Sequence, residues 1–211
     1  MNQNRVYDTI FNSEPITKGW SEDKKFCVTT TDGTKYLLRV SPSALYETRK
    51  SLFAMTEKLA TLGMPICKPI EFGICSDGIY TLHEWIDGTD LEDVLPNLTE
   101  SAQYALGMRT GEILKTIHSA NSPTEIEDWA TSYGRKIDIQ LQKYLTCGKR
   151  FCGDEYVLGY VENNRHLTIG RPQVHHHGDY SWKNTMLLNG NPIIIDFERL
   201  SIGCPFEEFF L

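Results

Sequence analysis

The sequence lacks most of the features that would place a chain in a specialised class. Its six cysteines (Cys27, Cys67, Cys75, Cys147, Cys152 and Cys204) include no C-x-x-C pair, and Cys147 and Cys152 have no second ligand pair nearby. A zinc module is excluded and reduced thiols are expected. No apolar run approaches the length of a membrane span, and no apolar signal core follows Met1-Asn2-Gln3-Asn4-Arg5. The expected site is the cytoplasm, with no membrane partner. Positive charge is not in excess: 21 Lys and Arg face 28 Asp and Glu, a net charge of −7. That argues against a nucleic-acid partner and is compatible with a cationic small molecule. There is no internal repeat and no low-complexity segment. What remains is 211 residues, 40% hydrophobic and 23% charged, enough for one large domain or two small lobes.

The stretch that carries chemistry runs from Val174 to Ile202. His177-Gly178-Asp179 followed by Asn184 has the form H-x-D-x-x-x-x-N. In phosphoryl transfer such a loop supplies a carboxylate to orient and deprotonate the attacking hydroxyl and an amide oxygen to hold a metal. Two apolar runs, Thr185 to Leu188 and Ile193 to Ile195, flank Asn189-Gly190 and read as a β-hairpin. The hairpin would return Asp196 beside Asn184, giving oxygen ligands of the kind magnesium prefers. A plain surface hairpin with an acidic residue at each end is the competing reading. His175-His176-His177 invites a metal reading, but adjacent residues point in different directions, so we expect one structural histidine and two bystanders.

These residues resemble the aminoglycoside phosphotransferase and choline kinase family, the small-molecule relatives of protein kinases, with H-G-D-x-x-x-x-N before an apolar strand and I-D-F. The resemblance implies a protein-kinase-like bilobal α/β (α+β) fold. It implies Asp179 as catalytic base, His177 as the brace of its turn, and Asn184 and Asp196 as ligands for Mg2+. ATP or GTP would be the phosphoryl donor and a hydroxyl of a small molecule, aminoglycoside-like, the acceptor. Oligomeric state is not legible.

The rest of the chain is taken in that light. Strands are expected at Phe26 to Thr30 and Lys35 to Val40, around Asp32-Gly33. The loop before them holds Gly19 and Ser21, which by resemblance lie over the nucleotide phosphates; the same residues read equally as a bare connection. Arg39 stands where the family places the cation that grips phosphates. Ser41-Pro42 is expected to open a helix to about Leu62, with Leu45, Leu52, Met55, Leu59 and Leu62 as its apolar stripe. Strands at Lys68 to Gly73 and Gly78 to Leu82 lead to a hinge, where the Glu84 carbonyl and Ile86 N–H would bind the base. Helices are then expected from Thr99 to about His118, from a Ser122-Pro123-Thr124-Glu125 capping box through about Leu145, and from Asp154 to Asn163. The stripe of the second is Trp129, Tyr133, Ile137, Leu141 and Tyr144. The expected organisation is residues 1–83 as a nucleotide-binding N-lobe, 84–88 as hinge, and 89–211 as a helical C-lobe.

Two positions depart from the family pattern. Leu52 falls where a helix glutamate normally pairs with the strand cation, and Cys204 falls where an aspartate normally follows glycine. Glu207 and Glu208 read either as contacts to a cationic substrate or as structural. The chain also stops early against that family, which implies either a truncated product or a shortened substrate lobe; if the later helices are absent, Phe209-Phe210-Leu211 is expected to be exposed. Beside the antibiotic-kinase reading stand a metabolic kinase acting on choline, a sugar or homoserine, and a non-catalytic nucleotide binder.

Overall fold

A computed structural model describes residues 5–18, 23–120 and 126–209. Gly19, Ser21 and the expected capping box at 122–125 lie outside the described residues. The chain divides into two compact units, residues 1–116 with 177–200, and residues 117–176 with 201–211.

The first unit opens with a five-stranded antiparallel sheet: β1 (Ile10–Ile16), β2 (Lys24–Thr30), β3 (Lys35–Ser41), β4 (Pro69–Cys75) and β5 (Gly78–Glu84), in the order β1-β2-β3-β5-β4. The β-branched and aromatic content of these segments suits a half-buried pleated surface. Val28, Leu38, Val40, Tyr80 and Leu82 form its core. Register places Arg39 opposite Thr81 and Leu37 opposite His83.

The helix α1 (Tyr46–Ala60) starts later than Ser41-Pro42 suggests. Ser41 is taken by the sheet, paired with Ile79 and buried, and a short 3-10 turn at Ser43–Leu45 intervenes. The buried face differs from the expected stripe, two of whose residues lie outside the helix. Phe53, Thr56 and Leu59 are buried, whereas Leu45 and Leu62 are exposed.

Beyond the fifth strand come β6 (Thr89–Asp90), α2 (Leu91–Val94) and α3 (Glu100–Ser119). Thr99 Oγ1 caps the last of these by accepting from the Ala102 N–H at 3.3 Å. The last residues of α3 belong to the second unit.

The second unit holds α4 (Trp129–Thr146) and α5 (Asp154–Asn163), together with β7 (Val174–His176), which pairs antiparallel with the late strand Ser201–Gly203. The helix α4 is capped by Asp128, whose carboxylate accepts from the Thr131 N–H at 3.1 Å, so Ile126 to Asp128 precede the helix instead of lying in it. Its expected stripe is buried at Trp129 and half-buried at the other four positions. Cys204 is buried here, and all six cysteines are free thiols. Phe209 is exposed; Phe210 and Leu211 lie outside the described residues.

The hairpin returns to the first unit. β8 (Thr185–Leu188) and β9 (Asn191–Ile194) pair antiparallel, with β6 along the outer edge of β8, and the strand Ser201–Gly203 becomes β10. Asn189 at φ 52 and Gly190 at φ 75 make the left-handed two-residue turn that Asn-Gly favours. No described helix is long and apolar enough to cross a membrane.

Candidate active site

The loop from His177 to Asn184 is held from three directions. His177, fully buried, places Nε2 2.9 Å from the Ile195 carbonyl, and its Nδ1 accepts the Asp179 N–H at 3.3 Å. Donation from Nε2 fixes the tautomer that leaves Nδ1 an acceptor. The Tyr180 hydroxyl donates to the Thr110 carbonyl of α3 at 2.6 Å. The Asn184 Nδ2 amide donates to the Asp179 carbonyl at 2.8 Å, which leaves Oδ1 as the coordinating atom of that side chain. Gly178 has φ +79, and a Cβ there would stand 2.5 Å from the Arg199 carbonyl oxygen, so only glycine lets the loop lie this close to the following turn.

The hairpin brings Asp196 to this loop. The Ile195 N–H donates to the Asn184 carbonyl at 3.0 Å. Upstream, the Cys67 N–H donates to the Ile194 carbonyl at 3.0 Å and the Ile194 N–H to the Pro65 carbonyl at 2.9 Å, tying the hairpin to the segment after α1. Asp196 itself is left-handed (φ 65, ψ 60) without being glycine, a strained geometry that turns its carboxylate back toward the sheet. There Arg39 reaches it, with Nη1 and Nη2 at 3.4 and 3.3 Å from Asp196 Oδ1. Arg39 Nη1 also closes on Glu198 Oε1. The Arg39 side chain is only 13% exposed and that of Glu198 20%, so water screens this pair little, whereas Asp196 at 36% is more open to it.

Two adjoining cavities result. One, of about 380 Å³, is walled by apolar side chains (Ile16, Leu37, Ile86, Met186, Ile195) and edged by Glu84, Arg39, Asn184 and Asp196. The other, of about 600 Å³, is lined by Asp179, Asn184, Asp196, Glu198, Lys183 and Glu92, among others. Both are of the size that holds a small ligand. The hinge backbone has partners of its own: the Glu84 N–H donates to the Lys68 carbonyl at 2.8 Å, and the Cys67 thiol donates to the Glu84 carbonyl at 3.3 Å. Burial pushes that thiol up to about 12, and burial followed by the charge of Arg39 lowers the half-buried His83 to about 4. Burial also pushes the Glu198 carboxyl up, with Arg39 pulling the other way.

The oxygen donors Asn184 Oδ1 and Asp196 suit a hard divalent cation. Among the described residues no group of three or more His, Cys, Asp and Glu converges to hold a metal alone, so an ion here would take further ligands from phosphate and water. The sequence reading thus has Asp179, His177, Asn184, Asp196, Arg39, Glu84 and Ile86 gathered in one unit. It missed Lys183 and Glu198, although one directly precedes Asn184 and the other follows Asp196 by two residues. It also passed over Lys18, which reaches Asp90 at 2.5 Å beside both cavities.

The three histidines divide differently from expectation. His176 is not a bystander: its Nε2 lies 3.3 Å from Glu207 and its Nδ1 3.7 Å from the buried Glu208. Both glutamates thus have a neighbour within the second unit. His175 is buried as well.

Comparison with known proteins bears on the family and the fold. The model of a family described as "Phosphotransferase enzyme family" matches residues 13–211. A sequence comparison with curated proteins finds no match. Similar solved structures include the streptomycin–ATP–APH(2")-IIa ternary complex, 17% identical with a TM-score of 0.72 over 98% of this chain and 74% of that one. The macrolide 2'-phosphotransferase MphH from Brachybacterium faecium is 14% identical, with a TM-score of 0.63 over 93% of this chain and 69% of that one. A choline/ethanolamine kinase family protein from Mesorhizobium loti is 18% identical, with a TM-score of 0.62 over 93% of this chain and 61% of that one. At these identities the likeness is one of fold.

Proposed function

This chain belongs to the phosphotransferase enzyme family, with its protein-kinase-like fold, and from that premise we propose that it moves the γ-phosphoryl group of ATP or GTP to a hydroxyl of a small, aminoglycoside-like molecule, with Mg2+ held at Asn184 and Asp196. The observation that carries the reading is that Asp179, Asn184 and Asp196 open on one cavity of about 600 Å³. The proposed division of labour is residues 1–83 for the nucleotide, 84–88 as hinge, and 89–211 for acceptor and catalytic loop.

The apolar cavity takes the base, with the Glu84 carbonyl and the Ile86 N–H meeting its edge. Arg39 and Lys183 face the phosphates. Asp179, its carboxylate 34% exposed and its backbone pinned by His177 and Asn184, accepts the proton of the attacking hydroxyl as the new oxygen–phosphorus bond forms and the bond from the γ-phosphorus to the bridging oxygen breaks, releasing the nucleoside diphosphate. Magnesium, when bound, neutralises phosphate charge. The enzyme's share is otherwise positioning and electrostatics. The choline/ethanolamine kinase family neighbour supports a second reading, a metabolic kinase for another small hydroxyl compound. A non-catalytic nucleotide binder or inactive homologue is the remaining one, motivated by Leu52 and Cys204.

The test is Asp179→Asn, assayed for transfer of labelled γ-phosphate to an acceptor panel led by aminoglycosides. Turnover should fall by about 10²–10⁴ while nucleotide affinity stays within twofold. Unchanged turnover removes Asp179 as the base.

A further inference from the structure

The Arg39 side chain is only 13% exposed, and a cation so far withdrawn from water needs a counterion that stays in place. The helix α1 does not provide one. Its residues on the small cavity beneath Arg39 are Arg49, Leu52, Phe53 and Thr56, none acidic. Arg49 in fact adds a second cation there, which is matched by Asp23 at 2.8 Å. Both carboxylates on Arg39 come from the loop after the hairpin, Asp196 and Glu198. They are not equivalent. Asp196 is left-handed, 36% exposed, and opens on both large cavities, whereas Glu198 is 20% exposed and reaches the larger polar cavity but also lines the small one, together with Leu52. If Asp196 turns to a metal, only Glu198 of the two remains on Arg39.

We propose that Glu198 is a positioning residue, the carboxylate that keeps the Arg39 guanidinium aimed at the nucleotide phosphates, doing from the loop after Asp196 what no residue of α1 can do here. This rests on the nucleotide-binding reading above. Two consequences follow. The loop that carries a metal ligand also sets the phosphate-gripping cation, so the two are positioned by one backbone segment. And position 52 is a vacant alternative: a carboxylate placed there shares the cavity with Arg39 and can replace the one removed at 198.

The experiment is equilibrium binding of ATP and GTP by calorimetry, once with magnesium and once with chelator, to the wild type, Glu198→Gln, Glu198→Asp and the double variant Glu198→Gln/Leu52→Glu. Unfolding without ligand is recorded for each. Glu198→Gln should bind the nucleotide about tenfold more weakly under both conditions, which is 1.4 kcal/mol. Glu198→Asp should retain most of the affinity because the charge is kept. The double variant should recover most of it because the charge is moved. A general structural role would lower the unfolding midpoint without being repaired by charge at position 52. Wild-type affinity in Glu198→Gln overturns the proposal, and so does tighter binding, which would mean that Glu198 withholds Arg39 from the phosphates. Loss of affinity in Glu198→Asp equal to that in Glu198→Gln also overturns it. If the wild type binds neither nucleotide, the nucleotide reading itself fails, a result distinct from the others.

Discussion

Two glycines with the same backbone conformation should respond very differently to alanine. Gly178 and Gly190 have φ of +79 and +75. Forcing a Cβ into the left-handed region costs about 1–2 kcal/mol at either position. At Gly190 the new methyl meets nothing within 4 Å, and the cost ends there. At Gly178 it would stand 2.5 Å from the Arg199 carbonyl oxygen and 2.9 Å from the Arg199 Cβ, the first about 0.9 Å short of the 3.4 Å at which ordinary contact begins. Backbone must move, and overpacking of this kind adds roughly 1–3 kcal/mol. The backbone that moves belongs to the turn carrying Asp196 and Glu198. Gly190→Ala should therefore lower the unfolding midpoint by roughly 2–8 °C and leave nucleotide affinity unchanged. Gly178→Ala should lose at least about 1 kcal/mol more and weaken magnesium-nucleotide binding by more than about tenfold. Urea unfolding with and without nucleotide measures both. Equal loss of stability and equal affinity in the two variants would refute the argued contact between the catalytic loop and the turn after Asp196.

Other outcomes follow from burial and charge. His83 is lowered to about 4 from an ordinary 6.5, so the unfolded chain binds more protons between those values. Stability should rise with pH across that window and be lost as pH falls through it, by on the order of 2–3 kcal/mol, and His83→Gln should flatten the slope. Thiol labelling under native conditions should modify the exposed Cys147 and Cys152 first, and Cys67, buried and pushed up to about 12, only on unfolding. Replacing His177 by alanine should strip both the Ile195 carbonyl and the Asp179 N–H of a partner, costing about 2–5 kcal/mol in unfolding experiments and abolishing turnover.

The local signals in this chain were legible and the non-local ones were not. Asn189-Gly190 marked its hairpin, Asp154 and Asn163 bound the helix the sequence suggests, and Thr99 caps α3 as its position implies. Ser41-Pro42 misled because strand pairing with Ile79 outcompetes helix capping, and nothing local reports a partner strand almost forty residues away. The proline signal at 122–125 likewise competes with Asp128, an equally good cap, and α4 begins at Trp129. In the candidate site, Asp179, Asn184 and Asp196 sit at motif spacings, and the fold brings them to one cavity. Leu52 was readable as a departure, but its compensation was not. Glu198 reaches Arg39 only because Asp196 adopts a left-handed turn, a conformation that sequence does not announce for aspartate. His176 likewise meets Glu207 and Glu208 through residues some thirty positions later in the chain.

The most direct measurement is thermal unfolding of this chain with magnesium plus ATP or GTP, in the wild type and in Asp196→Asn. At one hundred times its dissociation constant a ligand adds about 2.7 kcal/mol, which for a chain of this size raises the midpoint by roughly 5–10 °C. The account predicts that rise in the wild type, smaller when magnesium is chelated, and a loss of the magnesium-dependent part in Asp196→Asn. No rise in a wild type that melts cooperatively, or an identical magnesium-dependent rise in both proteins, would contradict it.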